Sequence, residues 1–475
     1  MAILFKNAKK VILGNGSVLE ATSVKTDGVT IATIGRDLPE EGAEVVDCSG
    51  KIVMPGLIDV HVHVGMWAGE VDWGNILDIP DEYLGMRATT YLTWWIQNGF
   101  TTIFEPLARR DLPFEMRRAL RDGIIPGPRL LVSGPAIVGT GARGTFFGPR
   151  EVTGADEARR AVREQTSIYR NADIIKIMAT SEMLTGHVES RVQLTGPEIA
   201  AMVDEAHKAG LPVHCHAYGG PGVSLAVENG VDLIIHGAPL GWEFEPNLKF
   251  GEWQSHQRID GGRFANSDYM GTYDLMAQKG VFWAPTLSYY YKIYNEHWEE
   301  FQKKINPFIV GRAQLIGESI ERNFRLAHEA GVPIVLGSDT GMPFTYHGDS
   351  AWELSLFVRY GMSAGEAIEA ATGRAAKALW IHDRTGTIEV GKRADLLVLN
   401  ADPLEDITVL TKPGVIEKVY LEGKLAAEDN RAVPVLRETM MAQLAKLETV
   451  EEMLTHRSPY DTGALGKRII AGPRG

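Results

Sequence analysis

The chain reads as an α/β protein: a (β/α)8 barrel of the TIM type, with a small β-sandwich domain built from both chain ends. Three observations predict this. Strand-like and helix-like stretches alternate eight times between Leu57 and Gly337, the pattern of parallel strands joined by crossover helices. Short β-like stretches lie on either side of that run. The length, 475 residues, exceeds one small core and suits one large domain with a companion. The expected divisions are 1–54 and 384–430 for the two parts of the sandwich, 55–383 for the barrel, and 431–475 for a C-terminal helix and tail.

The first 54 residues carry β-like runs at Ile3-Leu4-Phe5, Val11-Ile12-Leu13 and Val29–Ile34, with Gly14-Asn15-Gly16 as a turn. Pro55-Gly56 ends this part. Strand one is then Leu57–Val64, followed by a helix at Tyr83–Gln97 that stops near Gly99. Strand two is Thr101–Glu105, with a helix at Phe114–Arg121; strand three is Arg129–Ser133, with a helix at Ala155–Arg170. Strand four is Asp173–Met178, and Gly196-Pro197 opens the next helix, to about Ala209. Strands five and six are Leu211–His216 and Val231–His236, separated by a helix at Val223–Asn229. Residues 240–270 are irregular and rich in Trp, Phe and Gly. Strand seven is Val281–Ala284, a long helix covers Phe308–Ala330, and strand eight is Val332–Gly337. Eight such pairs favour a closed barrel. The rival, a doubly wound open sheet, more often has a glycine-rich phosphate loop after strand one, and none follows here. Gly386–Val390, Ala394–Leu399, Val415–Leu421 and Lys424–Ala426 return to short strands. Arg437–Thr455 reads as an amphipathic helix, and the Gly-, Arg- and Lys-rich end as a mobile tail or an arm onto a neighbouring subunit.

Barrel active sites sit at the C-terminal ends of the strands, so metal-competent side chains are sought there. Strand one ends Pro55-Gly56-Leu57-Ile58-Asp59-Val60-His61-Val62-His63. Side chains alternate along a strand, so His61 and His63 share a face and are placed to grip one ion. Strand four, Asp173-Ile174-Ile175-Lys176-Ile177-Met178, holds a lysine in an apolar run, where a bare ammonium is costly. Lys176 either snorkels to the rim or is carbamylated by CO2, which gives an anion with two oxygens able to bridge two metals. Strand five ends with His214 and His216 on one face; His216 is nearer the rim and is taken as the ligand, His214 as a hydrogen-bonded core residue below it. Strand six ends at His236, and strand eight at Gly337-Ser338-Asp339. Asp339 suits metal ligation and proton acceptance; its plain alternative is a helix cap. This nitrogen- and oxygen-rich set suits two divalent ions, zinc first, with manganese, cobalt or iron tolerated.

With these motifs the chain resembles the amidohydrolase superfamily from Gly56 to about Leu379, closest to its prolidase- and imidazolonepropionase-like branch. His216 and His236, 20 residues apart, match that branch and support His216 over His214. The resemblance implies a binuclear centre: His61 and His63 on the buried ion, His216 and His236 on the exposed one, carbamylated Lys176 between them, and Asp339 completing the buried site. It implies hydrolysis of a C–N bond in an amide, carbamate or urea, with Asp339 as general base and then acid. Arg143 and Tyr218 are the candidate substrate residues. In prolidases of this branch a tyrosine matching Tyr218 grips the substrate carboxylate; rim packing is its alternative here.

Two stretches depart from the branch. Thr140-Gly141-Ala142-Arg143-Gly144 places an arginine where a substrate-polarising histidine is expected, and Thr101-Thr102-Ile103-Phe104-Glu105 replaces Thr-Thr-Val-Arg-Asp. Both are expected in the substrate pocket's walls, which weakens a dipeptide assignment. Trp67, Trp73, Trp242, Phe244, Phe250, Trp253, Phe282, Trp283, Tyr289, Tyr290 and Tyr291 are candidates for an apolar wall. His347 either orders the loop after strand eight or touches substrate. The alternatives in function are an Xaa-Pro dipeptidase and, from a different class, a non-catalytic scaffold protein.

Composition narrows the partners. A net charge of −13 argues against nucleic acid. Two cysteines, Cys48 and Cys215, suit a reducing compartment. No apolar run spans a membrane and the N-terminus lacks a signal-peptide pattern. A cytoplasmic homo-oligomer acting on a small molecule is expected.

Overall fold

The computed structural model describes residues 1–66, 68, 79–107, 109–142, 148–181, 192–237, 271–304 and 307–433. Arg143, Trp67, Trp73, Trp242, Phe244, Phe250, Trp253 and the expected helix Arg437–Thr455 lie outside them.

Both chain ends meet in one nine-stranded sheet. Its order is Arg431–Ala432, Lys424–Glu428, Ile416–Leu421, Leu396–Leu399, Ile52–Pro55, Ala2–Ile12, Val18–Asp27, Thr30–Gly35, with Ala43–Asp47 also paired to Ala2–Ile12. The join is the antiparallel pairing of Ile52–Pro55 with Leu396–Leu399. Two of its strands, Val18–Asp27 and Ala43–Asp47, were not visible in the apolar pattern, because the first buries mainly the polar Thr22, Ser23 and Thr26 and the second is mostly exposed. The expected strand Gly386–Val390 is absent. Gly386 has φ +93° there, and the stretch is tied instead by an isolated bond, Ile388 N to the Leu13 carbonyl (3.0 Å).

After Pro55 the chain passes straight into the strand Leu57–Asp59. Only glycine fits between them: a Cβ on Gly56 would lie 2.1 Å from Thr101 Oγ1. Leu57–Asp59 pairs in parallel with Phe100–Glu105, and that strand with Arg129–Val132. A second, all-parallel sheet runs Arg150–Val152, Ile137–Gly139, Ile175–Met178, Val213–Ala217, Leu233–His236, Phe282–Ala284. Hydrogen bonds join the two sheets at both sides. Asp173 N donates to the Val132 carbonyl (2.8 Å). On the other side Val335 N donates to Trp283 O (2.9 Å) and Val60 N to Leu336 O (3.0 Å).

The segment expected as strand eight is therefore in place but is not a regular strand. Pro333 has no N–H to give, and the amide of Leu336 goes to Ala370 O (2.9 Å) rather than along a ladder. Strand one likewise leaves regular pairing after Asp59: Val60 N turns to Leu336 O (3.0 Å), while Val62 N returns to Phe104 O (3.1 Å).

Inside the ring, Ile58, Val60, Phe104, Leu131, Ile174, Leu233, Ile235, Ala284 and Val335 form one apolar cluster. Helices cover the outside: Asp81–Gln97, Leu112–Arg121, Ala155–Gln165, Gly196–Lys208, Gly219–Glu228 and Pro307–Glu329 agree with the periodicity to within a few residues at the boundaries, the Ala155 helix ending earliest. Gly196–Lys208 starts with a capping box: Thr195 Oγ1 accepts from Glu198 N, and Glu198 Oε2 accepts from Thr195 N (2.7 Å). The shorter helices Trp352–Arg359, Ala364–Ala370 and Gly373–Ala378 follow the last segment of the ring. Among the described residues, no helix is long and apolar enough to cross a membrane.

Candidate metal centre

Six side chains named from the sequence are all buried, five of them at or just past the ends of these segments and Lys176 within its strand: His61, His63, Lys176, His216, His236 and Asp339. Four of them converge tightly. Asp339 Oδ1 lies 3.1 Å from His63 Nε2 and 3.3 Å from His61 Nε2, and its Oδ2 lies 3.8 Å from His236 Nδ1. His61, His236 and Asp339 each offer a donor atom within 4.8 Å of the others. The His216 ring is next, 4.8 Å from that of His236. Lys176 lies one layer down, its strand position opposite His214.

The electrostatics set these groups apart from ordinary core residues. Burial pulls the Lys176 ammonium down to about 8. Burial also pulls His216 down to about 3, and His61 and His236 well below the usual imidazole value. His63 goes the other way, to about 9: burial opposes its charge, but the carboxylates of Asp339 and Glu105 outweigh it. Asp339 stays well below the usual carboxylate range despite its burial, because the imidazoles of His61 and His63 face it.

The donor set fits metal ions on an independent ground. Both oxygens of Asp339, Nζ of Lys176 and Nδ1 of His61 are buried without a hydrogen-bond partner. Buried polar atoms are rarely left so, and with Nδ1 of His63 five of them belong to these neighbouring residues. The other ring nitrogens are fixed from behind. A carbonyl only accepts, so the His216 Nε2–H donates to Ser181 O (3.3 Å) and leaves Nδ1 with its lone pair. His236 Nδ1 meets Thr286 Oγ1 at 2.9 Å.

The remaining candidates separate. His214 is wholly buried and its Nε2–H donates to Ala378 O (3.2 Å), which makes it the core histidine expected. Tyr218 stacks on His236, centroids 5.0 Å apart and planes 6° from parallel, and its hydroxyl meets that of Tyr290. His347 orders its loop: its Nε2–H donates to His63 O (3.1 Å) and its ring stacks on Tyr91, 3.8 Å away. Trp283 is core, its indole N–H donating to His236 O (2.7 Å).

Within the altered strand two, Phe104 is core and not pocket wall, contrary to expectation. Phe104 is 0% exposed, lies in the cluster inside the ring, and sets its edge against His214 (5.1 Å). Phe104→Ala should cost about 3–5 kcal/mol in urea unfolding, the usual range for emptying a buried aromatic site. Glu105 faces the histidines instead: Oε1 lies 3.6 Å from His63 Nδ1, and Oε2 accepts from Val64 N (2.5 Å).

Sequence reasoning missed Glu105 and also Asp59, which accepts from His61 N (3.1 Å), Ser338 N (3.1 Å) and Ser338 Oγ (2.5 Å). Asp59 thus ties the strand carrying His61 to the turn carrying Asp339. The signal was available, since both carboxylates sit in apolar runs, the argument that singled out Lys176.

The sequence model of the amidohydrolase family matches residues 52–426. The chain belongs to the amidohydrolase family. One amidohydrolase-like relative is the ochratoxinase of Aspergillus niger, 27% identical over 453 residues, 87% of this chain and 85% of that one. Among solved structures, an Xaa-Pro dipeptidase with methionine bound in its active site superposes with a TM-score of 0.75 at 28% identity, over 90% of this chain and 100% of that one. Molinate hydrolase shares the fold, with a TM-score of 0.70 at 20% identity over 89% and 94% of the two chains. Membership in the amidohydrolase family places the chain among hydrolases.

Proposed function

We propose that this protein hydrolyses a C–N bond of an amide, carbamate or urea in a small molecule bearing an apolar or aromatic group. The observation that carries the proposal is the convergence of His61, His63 and His236 on an Asp339 carboxylate whose buried oxygens have no hydrogen-bond partner. Two divalent ions, zinc first, would be held by His61, His63, His216, His236, Asp339 and a carbamate on Lys176. When bound there, such ions acidify a water and polarise the substrate's carbonyl. Asp339 accepts the proton of the attacking water and returns it to the leaving nitrogen as the C–N bond breaks. Carbamylated, Lys176 would supply an anion to the ions, and burial, by lowering its ammonium to about 8, raises the share of neutral amine that can react with CO2.

The frame of this proposal is a closed (β/α)8 barrel at 55–383 with a β-sandwich at 1–54 and 384–430, followed by the C-terminal helix and tail at 431–475. Closure is supported by the hydrogen bonds on both sides of the ring. The sandwich is supported by one core cluster shared by Phe5, Val24, Ile31, Val53, Val398 and Tyr420.

An apolar substrate is supported by the residues just past the ligands. Met178 is two residues beyond Lys176 on the same strand face and opposite His216. Met66 packs with Leu107 and Met342, and Leu107 also packs on the cluster that holds Met178. Unbranched methionines adapt to varied apolar shapes.

A second reading, an Xaa-Pro dipeptidase, is favoured by the superposed dipeptidase structure; Arg143 in place of the expected histidine speaks for a different substrate. The scaffold reading is disfavoured by the retention of all six ligands. A cytoplasmic homo-oligomer with no nucleic-acid or membrane partner belongs to the same proposal.

Metal analysis and a hydrolysis screen over dipeptides, N-acyl amino acids, carbamates and aryl ureas test the function. Turnover with an apolar or aromatic member and about two metals per chain are expected. No bound metal and no gain of activity with added zinc would instead favour the scaffold. For Arg143, always charged and forked for an oxyanion or carboxylate, substrate binding is expected: Arg143→Ala should raise KM with kcat little changed. A fall in kcat at constant KM would assign it to the tetrahedral oxyanion instead.

A further inference from the structure

The mechanism leaves one fully buried carboxylate without a role. Glu353, 0% exposed, lies on the helix Trp352–Arg359. Its Oε1 accepts from Leu287 N (2.7 Å), and its Oε2 from Ser288 N (2.7 Å) and Ser288 Oγ (2.5 Å). All three bonds go to the two residues that follow Thr286; burial pushes this carboxyl up to about 7, and the three bonds oppose that by favouring its ionised form.

Thr286 is held in the left-handed region, φ +53°, which a β-branched residue adopts only under constraint. That backbone twist places its hydroxyl 2.9 Å from Nδ1 of His236. A hydrogen bond between this hydroxyl and Nδ1 fixes the orientation of the ring beside Asp339, whose Oδ2 lies 3.8 Å from the same nitrogen. His236 has a left-handed backbone too, φ +65°, so strand pairing does not aim its ring.

We propose that Glu353 is a positioning residue for the metal ligand His236, acting through Thr286. It holds the 286–288 turn twisted, the turn holds the imidazole, and neither Glu353 nor Thr286 touches substrate. The inference rests on the reading above that His236 holds a divalent ion.

The test uses the full-length chain stripped of metal. Zinc affinity is measured by competition with a chromogenic chelator, and thermal unfolding is measured on the same stripped samples. Thr286→Val removes the hydroxyl and keeps the branched shape. Glu353→Gln replaces one acceptor oxygen with an amide NH2 that faces backbone donors. Each should weaken zinc binding about 10–100-fold, the usual cost of losing a group that orients a ligand. Thr286→Ser should bind nearly as the wild type, and the double variant Thr286→Val/Glu353→Gln should be no weaker than the worse single one, because both act along one path. Unchanged zinc affinity in Thr286→Val, or losses that add in the double variant, would overturn the inference, as would a lowered melting temperature with affinity intact. His236→Ala separates the two levels: if it binds zinc as the wild type does, His236 is not a ligand and the metal reading itself fails.

Discussion

Asp339→Asn, reloaded with metal, should lose roughly 10²–10⁴ in kcat, the range for removing a general acid–base group. The substitution keeps an oxygen and nearly the same volume but cannot take a proton. The carboxylate is wholly surrounded: His61 and His63 stand 3.3 and 3.1 Å from one oxygen and His236 3.8 Å from the other. Those imidazoles favour its ionised form, the form a base requires. An amide in its place has an N–H2 edge pointing at the histidines, so metal content is measured alongside kcat. Near-normal kcat at full metal loading would require another base, and Glu105, 3.6 Å from His63, is the candidate.

Lys176→Ala should lose both metal and activity, and short carboxylic acids should restore part of each. The lysine is 3% exposed, its Nζ has no partner, and burial pulls its ammonium down to about 8, so a substantial fraction is neutral amine near physiological pH. A neutral amine is the nucleophile that CO2 needs. Truncation leaves a space beside the histidines that a small carboxylate fills, supplying the same two-oxygen anion without the tether. Full metal content and activity in Lys176→Ala would refute the bridge. So would a crystal of the metal-loaded protein with a free amine at Lys176.

The candidate site was legible because its residues obey local rules. His61 and His63 share a face by strand alternation, Lys176 stands out in an apolar run, and His216 and Asp339 end buried segments. Five of the six lie at or just past the ends of expected strands, and Lys176 lies within one. What was not legible depends on partners far along the chain. Glu353 is an unremarkable acid in an amphipathic helix until Leu287 and Ser288 are seen beside it. Phe104 was assigned to a pocket wall because its face of the strand could not be fixed, and it turns instead into a core cluster beside His214. Strand eight was found by hydrophobicity alone, yet its hydrogen bonds divide among three neighbours, which no pattern of side chains encodes.

The contact of Asp59 with Ser338 spans 279 residues, and this sets a timetable for synthesis. At about 5–20 residues per second, the segment carrying His61 and His63 leaves the ribosome roughly a quarter of a minute to a minute before the one carrying Asp339. The nascent chain thus exposes a bare pair of imidazoles well before the carboxylate that completes their site, and Ile52–Pro55 waits still longer for its partner Leu396–Leu399. Any divalent ion captured in that interval is bound by an incomplete set, where intrinsic affinity for the ion rather than the geometry of the finished centre decides which is taken. The metal recovered from an expression host should therefore depend on which ions are abundant during translation, and metal added after purification to a stripped, fully folded chain should give a different occupancy.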